Sequence, residues 1–190
     1  MKRDRSTFDV PAQLAAMRRY ARSLTRDDAD AEDLVHDALL RAYERRGSFN
    51  AGRGPSGSGL RGWLLSILHN VFIDRRRSRR AEERRIAHIM EAEDGAALPA
   101  QEHHVRLAQV REAFMALPEE QRAALHLVTI EGLGYAEAAA ALGIPQGTLM
   151  SRLSRARAAL RAVEEGEARA RPAPPATHLR IVGGQDDPPR

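Results

Sequence analysis

The chain has 190 residues, of which 43% are hydrophobic but only 4% are aromatic, and its net charge is +4. This composition argues against an aromatic-rich β-sheet core and favours small helical domains with an aliphatic core. The absence of cysteine excludes disulfides and thiolate metal sites. Neither a signal peptide nor a membrane span is recognisable, so we expect a cytoplasmic protein.

The basic residues are almost all arginine, because Lys2 is the only lysine. The planar, permanently charged fork of arginine suits phosphate groups and guanine edges, which favours a nucleic-acid partner. A GC-rich genome would produce the same bias without any such partner. The positions of the arginines therefore have to decide between the two explanations.

Three helices are predicted in the N-terminal part of the chain, each with an apolar stripe at helical spacing. They span about residues 11–23, 30–46 and 60–80. Five glycines between Gly47 and Gly59 predict a flexible loop before the third helix. The segment from about Arg80 to Gln101 has mixed charge and no clean periodicity, which indicates a partly helical linker.

Four further helices are predicted after this linker, and a proline- and glycine-rich tail follows them. The helices span about residues 105–117, 119–131, 135–142 and 146–164. Pro118 suits the first turn of the helix predicted over 119–131. Glycines at 132, 134 and 143 separate the helices that follow. The tail cannot bury enough apolar surface to offset its ordering entropy, so we expect disorder there.

The last two predicted helices have the pattern of a helix-turn-helix, with Gly143 in the turn and no acid from residue 138 to 163. The apolar stripe of the final helix consists of Leu149, Leu153, Ala156 and Leu160. A helical wheel places five polar residues opposite this stripe or beside that face: Thr148, Ser151, Arg152, Ser154 and Arg155. Such side chains suit the major groove of DNA, whereas a solvated arginine face is the alternative.

An arginine cluster follows the apolar part of the third helix, with five arginines among the six residues from Arg75 to Arg80. Such density is self-repulsive unless an anion neutralises it, and the DNA backbone is a suitable anion. His69, Asn70 and Asp74 interrupt the apolar sequence just before the cluster and are candidates to contact bases. An exposed basic helix end is the alternative here.

The second helix carries an acidic stripe, which we define as Asp30, Asp33, Asp37 and Glu44. Helical geometry places these carboxylates away from the apolar Leu34 and Leu39. An acidic face repels DNA, so it requires either water or a protein partner.

Three segments in this order resemble the two domains of the extracytoplasmic-function (ECF) sigma factors of the sigma-70 family. They are DAEDLVHDALLRAY, LRGWLLSILHNVFIDRRRSRR and LPEEQRAALHLVTIEGLGYAEAAAALGIPQGTLMSRLSRARAAL. The resemblance extends from about Leu14 to Arg161 and implies an all-α protein of two small helical domains. Its parts are a three-helix region 2 domain (10–80), a linker (81–104), a region 4 helix-turn-helix domain (105–163) and a disordered tail (164–190).

The resemblance also implies a role for each surface. Core RNA polymerase would be bound through its β subunit and through the clamp helices of its β′ subunit, the latter contacting Asp30, Asp33, Leu34, Val35 and Asp37. The third helix and the preceding loop would hold the minus-ten element as single-stranded DNA with an unstacked base, through Asn70, Asp74, Arg75 and Arg76. The final helix would hold the minus-thirty-five element as duplex DNA, through the five polar residues of the helical wheel.

No catalytic constellation is predicted, and we expect neither a cofactor nor a metal. His88, His103 and His104 lack accompanying ligands at metal-binding spacing. The predicted function is therefore that of a sigma factor, which directs polymerase to promoters and which an anti-sigma factor commonly inhibits. The alternatives are a stand-alone helix-turn-helix regulator and an adaptor that binds polymerase or an anti-sigma factor but has lost DNA binding.

Overall fold

A computed structural model describes residues 8–49, 59–86 and 102–170, and it describes side chains in residues 8–49, 59–82 and 108–163. The described residues form seven α-helices and no strand, which confirms the predicted all-α class. The helices are α1 (Leu14–Thr25), α2 (Asp28–Arg45), α3 (Gly59–Ile86), α4 (Glu102–Ala116), α5 (Glu119–Leu125), α6 (Tyr135–Leu142) and α7 (Gln146–Ala170).

The first two helices meet at a tight turn. A 3-10 turn at Pro11–Gln13 leads into α1, and α1 ends because Arg26 adopts a left-handed conformation with φ of 65°. Asp27 then caps α2, since its carboxylate accepts a hydrogen bond from the Asp30 backbone N–H at 2.9 Å. Asp28 and Asp30 in the first turn of α2 favour the positive end of the helix dipole.

The third helix is longer than the sequence predicts. It continues past Arg80 to Ile86, so the first six residues of the segment predicted as a linker are helical. Apolar side chains of its predicted stripe, among them Leu64, Ile67 and Leu68, are buried. Residues 87–101 lie outside the described part of the chain.

The C-terminal helices are arranged around α7. The helix that was expected over 119–131 is an α-helix only to Leu125, and a single π-helical turn follows at His126–Ile130. The first helix and the turn of the helix-turn-helix have the predicted bounds: α6 ends at Leu142, and Gly143 has φ of 65°, a conformation that favours glycine. Leu149, Leu153 and Ala156 of α7 are buried, as the helical wheel predicts.

The final helix also runs further than predicted. It extends to Ala170, so the beginning of the segment that was expected to be a disordered tail is helical. Alanine and glutamate, which are common in residues 162–168, favour continuation of a helix. Residues 171–190, where most of the predicted tail lies, are outside the described part.

The two domains pack against each other. Within the first domain α1, α2 and α3 are mutual neighbours, and in the second domain α5 and α6 pack on α7. Between the domains, α3 packs against α6 and α1 packs against α5. Buried apolar residues of both domains therefore form one continuous core that includes Met17, Leu68, Leu127 and Leu149.

Candidate nucleic-acid interface

One face of α7 carries the polar residues that the helical wheel selects. Ser151, Ser154 and Arg155 are exposed, and Thr148 is half-buried at the start of the helix. The Ser151 hydroxyl donates a hydrogen bond to the Thr148 carbonyl at 2.9 Å, which keeps this side chain close to its own helix. The exposed arginine has no ion-pair partner among the side chains that the structure describes, so its guanidinium is available to a ligand.

Arg152 differs from the rest of this face because it points towards the protein. Its Nη2 lies 2.6 Å from a carboxylate oxygen of Glu120 on α5, and its side chain is 21% exposed. Its charge also contributes to lowering the pKa of His69 in the first domain. In this conformation Arg152 is therefore a poor candidate for a base contact.

Three of the five arginines in the α3 cluster form ion pairs within the protein. Arg75 donates to Asp37, and its Nη2 also donates to the Asp33 carbonyl at 3.0 Å. Arg76 forms an ion pair with Glu119 of the second domain, and Arg79 pairs with Asp30 at 3.3 Å. These acids supply the neutralising charge that the sequence alone suggested would come from DNA.

The three polar residues that precede the cluster divide into two groups. Asn70 and Asp74 are exposed, and Asp74 lies 3.6 Å from Arg41. His69 is only 9% exposed, and its Nδ1 forms a 3.0 Å hydrogen bond with the hydroxyl of Tyr20. The prediction that His69 contacts bases is therefore wrong in this conformation, because the imidazole is part of the core.

An aromatic cluster lies where the glycine-rich loop leaves α2 and enters α3. Its members are Phe8, Phe49 and Trp63, with ring centroids 5.2 to 5.9 Å apart. Tilted and edge-on contacts of this kind stabilise aromatic groups beyond simple burial. Phe49 is thereby held against α3, which fixes the start of the loop, while residues 50–58 of the loop lie outside the described part.

The acidic stripe on α2 keeps its carboxylates at the surface, although two of them are paired. Asp33 is exposed, whereas Asp30 and Asp37 are partly covered by the arginines of α3. Leu34 and Val35 are 0% and 3% exposed. The predicted polymerase contacts of these two side chains are thus not available in this structure, since both belong to the core.

Several polar residues, of which His126 and Glu131 are buried, connect the domains, and sequence reasoning missed them. Arg19 of α1 donates two hydrogen bonds of 3.1 Å to the carboxylate of Glu131, and His126 Nε2 lies 3.3 Å from the same carboxylate. Burial alone would raise the pKa of Glu131, but the hydrogen bonds from His126 and Arg19 outweigh burial and hold this pKa below its usual value. Only the position of Glu131 directly before a glycine break marked it in the sequence.

No group of His, Asp and Glu residues in the described part could hold a metal ion. In the same part of the chain, no helix is long and apolar enough to cross a membrane.

Comparison with known proteins identifies both domains. Residues 12–82 match the family model for sigma-70 region 2, and residues 107–160 match that for sigma-70 region 4. The chain is 35% identical over 182 residues to the ECF RNA polymerase sigma factor EcfG of Rhodopseudomonas palustris (strain TIE-1), covering 93% of this chain and 94% of that protein. It is 38% identical over 145 residues to the ECF sigma factor SigM of Mycobacterium tuberculosis, covering 76% and 69% respectively.

A solved structure has a similar fold. It is the sigma factor RpoE in complex with the anti-sigma factor NepR from Bartonella quintana. The TM-score is 0.66 with 34% sequence identity, and the alignment covers 83% of this chain and 94% of the other.

Proposed function

The chain belongs to the ECF RNA polymerase sigma factors of the sigma-70 family. From this premise we propose which of its surfaces binds each partner during transcription initiation. The first domain, residues 10–80, binds core polymerase and the minus-ten element. The second domain, residues 105–163, binds the minus-thirty-five element. The site of action is the cytoplasm, where polymerase and chromosome meet.

The observation that carries this proposal is the geometry of α7. Its apolar stripe is buried, its opposite face presents Ser151, Ser154 and Arg155 to solvent, and α6 precedes it across the Gly143 turn. A helix held in this way can enter a major groove, where arginine recognises guanine and hydroxyl groups bond to base edges or phosphates. Thr148 and Arg152 complete the proposed minus-thirty-five set.

The minus-ten contacts are assigned to the middle of α3, where polar residues follow its apolar first half. Asn70 and Asp74 are exposed there, and Arg75 and Arg76, which are half-buried, directly follow Asp74. The aromatic cluster holds the start of the loop next to the same helix. The proposed ligand is single-stranded DNA, because unstacked bases offer edges to polar side chains and a backbone to arginines.

Polymerase docking is assigned to the acidic stripe of α2. Asp33 is its most accessible member in the predicted set, and Asp30 and Asp37 flank it on the same face. Leu34 and Val35 contribute indirectly, because their burial fixes the rotation of the helix. The β′ clamp helices are the proposed partner of this face.

An anti-sigma factor is the proposed inhibitor. The solved RpoE relative is bound to one, and the similarity to this chain extends across both domains. An inhibitor of this kind would compete with polymerase for the same surfaces. Its identity requires a search among the proteins that accompany this chain in its own cell.

Reconstitution with sigma-free core polymerase on a promoter library tests the proposed function. We expect specific transcripts from a subset of templates that share two conserved elements. Core polymerase without the chain is the control. Failure to produce transcripts above this control would refute the function, and specific duplex binding in the absence of polymerase would instead favour a stand-alone regulator.

The polymerase-docking surface is tested by Asp33→Arg. We expect at least a tenfold loss of affinity for core polymerase, because a charge reversal at an exposed contact turns attraction into repulsion. Glu112→Arg is the matched control, since Glu112 is an equally charged and exposed residue on α4. Equal affinities of the two variants for polymerase would contradict the assignment.

A further inference from the structure

Met150, near the start of α7, is an apolar side chain on a polar surface. Of the large apolar side chains described in α6 and α7 it is the most exposed, at 53%. The nearby residues Ser151 and Ser154 are polar and exposed. A single exposed apolar residue is common on protein surfaces and has no meaning by itself. Its position on the helix and its chemistry therefore have to show whether it binds a ligand.

The rotation of α7 places Met150 beside the proposed base-reading face. The buried stripe of Leu149, Leu153 and Ala156 fixes this rotation. Successive helical residues are rotated by about 100°, so Met150 lies roughly a quarter turn from the stripe and Ser151 roughly half a turn from it. Met150 therefore forms one edge of the surface that would enter the major groove.

The same edge of α7 carries Arg157 two turns later. The two residues are about 10 Å apart along the helix axis and point in nearly the same direction, and Arg157 is exposed. A recognition helix contacts base edges with its N-terminal residues, whereas its later residues lie closer to the DNA backbone. Met150 is therefore placed at the depth of the bases, and Arg157 at the depth of the phosphates.

The helix surface one turn before Met150 carries no side chain. Gly147 lies three positions earlier and is a neighbour of Met150 on the helix surface. A Cβ added to Gly147 would meet no atom within 4 Å, so the space in front of it is open. A ligand can therefore approach the first turn of α7 closely and meet the thioether of Met150 from the side.

The chemistry of methionine selects one feature of the major groove. A thioether has no charge and is only a weak hydrogen-bond acceptor, so it gains little from phosphates or from the polar edges of bases. The apolar group that the groove presents is the C5-methyl of thymine. Methionine is unbranched and polarisable, so its side chain can adapt to the position of that methyl group.

We propose that Met150 recognises a thymine of the minus-thirty-five element through an apolar contact with its C5-methyl group. This inference rests on the proposed function, because it adds one base contact to the surface that holds this element. Met150 would determine specificity by burial, whereas the polar residues of the helical wheel do so by hydrogen bonding. One buried methyl group corresponds to about a fourfold preference for thymine over the same base without its methyl.

Replacement of single thymines by deoxyuridine tests this contact, because it removes the methyl group and leaves the hydrogen-bonding edge of the base unchanged. Each thymine of the upstream element, on either strand, is replaced in turn, and competition binding measures the affinity of the reconstituted holoenzyme. The wild type should lose affinity about fourfold at one position. Met150→Ala should bind the unmodified duplex about fourfold more weakly and should be insensitive to deoxyuridine at that position.

Three further variants define the role of the side chain. Val163→Ala is the matched control, since Val163 is an exposed apolar residue later on the same helix, and it should keep the wild-type profile of deoxyuridine effects. Met150→Leu should also keep this profile, because leucine is apolar and of similar volume. Met150→Arg should lose the thymine preference and increase the salt dependence of binding by about one counterion, because a cation at this edge reaches phosphate.

Two results would overturn the proposal. One is an unchanged deoxyuridine profile in Met150→Ala, and the other is a wild type that is insensitive to deoxyuridine at every position. Weaker binding of Met150→Ala to core polymerase in the absence of DNA, with the profile retained, would assign this side chain to a protein contact instead. Circular dichroism checks that the variant is folded, which its exposed position favours.

Failure of this proposal is distinguishable from failure of the function on which it rests. Absence of promoter-specific transcripts from the wild type would refute the sigma-factor function itself. Normal transcription together with an unchanged deoxyuridine profile in Met150→Ala would refute the thymine contact alone.

Discussion

Arg122 is a cation placed where three backbone carbonyls need a donor. The Ser23, Met115 and Leu117 carbonyls all accept from its guanidinium, and the side chain is almost completely buried. Lysine could not replace it, because a single ammonium group lacks the planar fork that reaches several acceptors. The residue thus contributes through geometry as well as through charge.

We expect Arg122→Met to destabilise the protein by about 3 kcal/mol, because buried carbonyls would lose their donor. Arg122→Lys should fall between this variant and the wild type, since it retains the charge but not the fork. Urea denaturation followed by circular dichroism measures both effects. A loss of less than about 0.5 kcal/mol for the methionine variant would contradict this account of the residue.

His69 gives the stability of the fold a dependence on pH. Burial, and secondarily the charge of Arg152, lowers its pKa from 6.5 to about 4. The folded state thus holds the proton less tightly than the unfolded state does, so stability is lost as the pH falls from 6.5 towards 4. At pH 5 the loss from this group amounts to about 2 kcal/mol.

The matched variant His69→Gln should reduce the loss of stability between pH 7.5 and pH 5 by this amount. Glutamine retains hydrogen-bonding capacity near Tyr20 but has no proton to gain. The wild type and the variant share all other histidines and carboxylates, so the difference between their denaturation curves isolates His69. Parallel pH profiles would show that His69 is already protonated in the fold or equally accessible in both states.

At the scale of elements, helix starts were easier to predict than helix ends. The helix-turn-helix has its predicted bounds because Gly143 and Pro145 punctuate the chain there. The sequence predicts the end of α3 near Arg80, because periodicity is lost there, but alanine, glutamate and arginine are good helix formers and the helix continues to Ile86. The π-helical turn at His126–Ile130 has no local signal, since it accompanies contacts of His126 with Tyr20 and Glu131.

The sequence predicted the candidate surfaces only in part, as it did the helix bounds. Periodicity placed the polar face of α7 correctly, because a buried stripe fixes the opposite side of a helix. It could not show that Arg152 turns towards Glu120, since that contact depends on the packing of α5. Periodicity also could not exclude His69 as a base contact. A helical wheel describes one helix alone and does not show which neighbouring residues bury a side chain.

The polar face of α7 predicts different effects for two exposed arginines. Arg155→Ala should lower promoter affinity of the holoenzyme about tenfold and relax specificity at one position of the upstream element. Arg157→Ala, on the flank, should weaken binding evenly across sequences and reduce its salt dependence by about one counterion. Competition binding on a library of upstream elements at several salt concentrations measures both effects. If Arg155→Ala weakens binding equally for all sequences, its assignment to base reading is contradicted.

At the scale of the whole molecule, the domain interface could not be predicted from the sequence. Arg19 and Glu131 are 112 positions apart, and neither lies in a motif. Their pairing depends on how two independently recognisable domains pack, which periodicity and turn residues do not specify. The resemblance to a family supplied the number and type of domains without their contact.

The shared core predicts that the free protein unfolds in one step. Apolar residues of both domains form one cluster, and the hydrogen bonds from Arg19 to Glu131 and from Arg122 to the Ser23 carbonyl add polar contacts between the domains. We expect a single calorimetric transition whose van't Hoff and calorimetric enthalpies agree. In Glu131→Gln the transition should divide into two, and two transitions in the wild type would show that the domains unfold independently.

The pairing of the acidic stripe with the arginine cluster has a thermodynamic consequence. Asp37 holds Arg75, and Asp30 holds Arg79, so the proposed polymerase surface and the proposed DNA surface neutralise each other. If cations of polymerase bind these carboxylates as proposed, the arginines become free to bind phosphate. Binding linkage is reciprocal. If polymerase raises the affinity of this chain for promoter DNA by some factor, promoter DNA raises the affinity of the chain for polymerase by the same factor. The first domain would thus make assembly of the ternary complex cooperative without any change of fold.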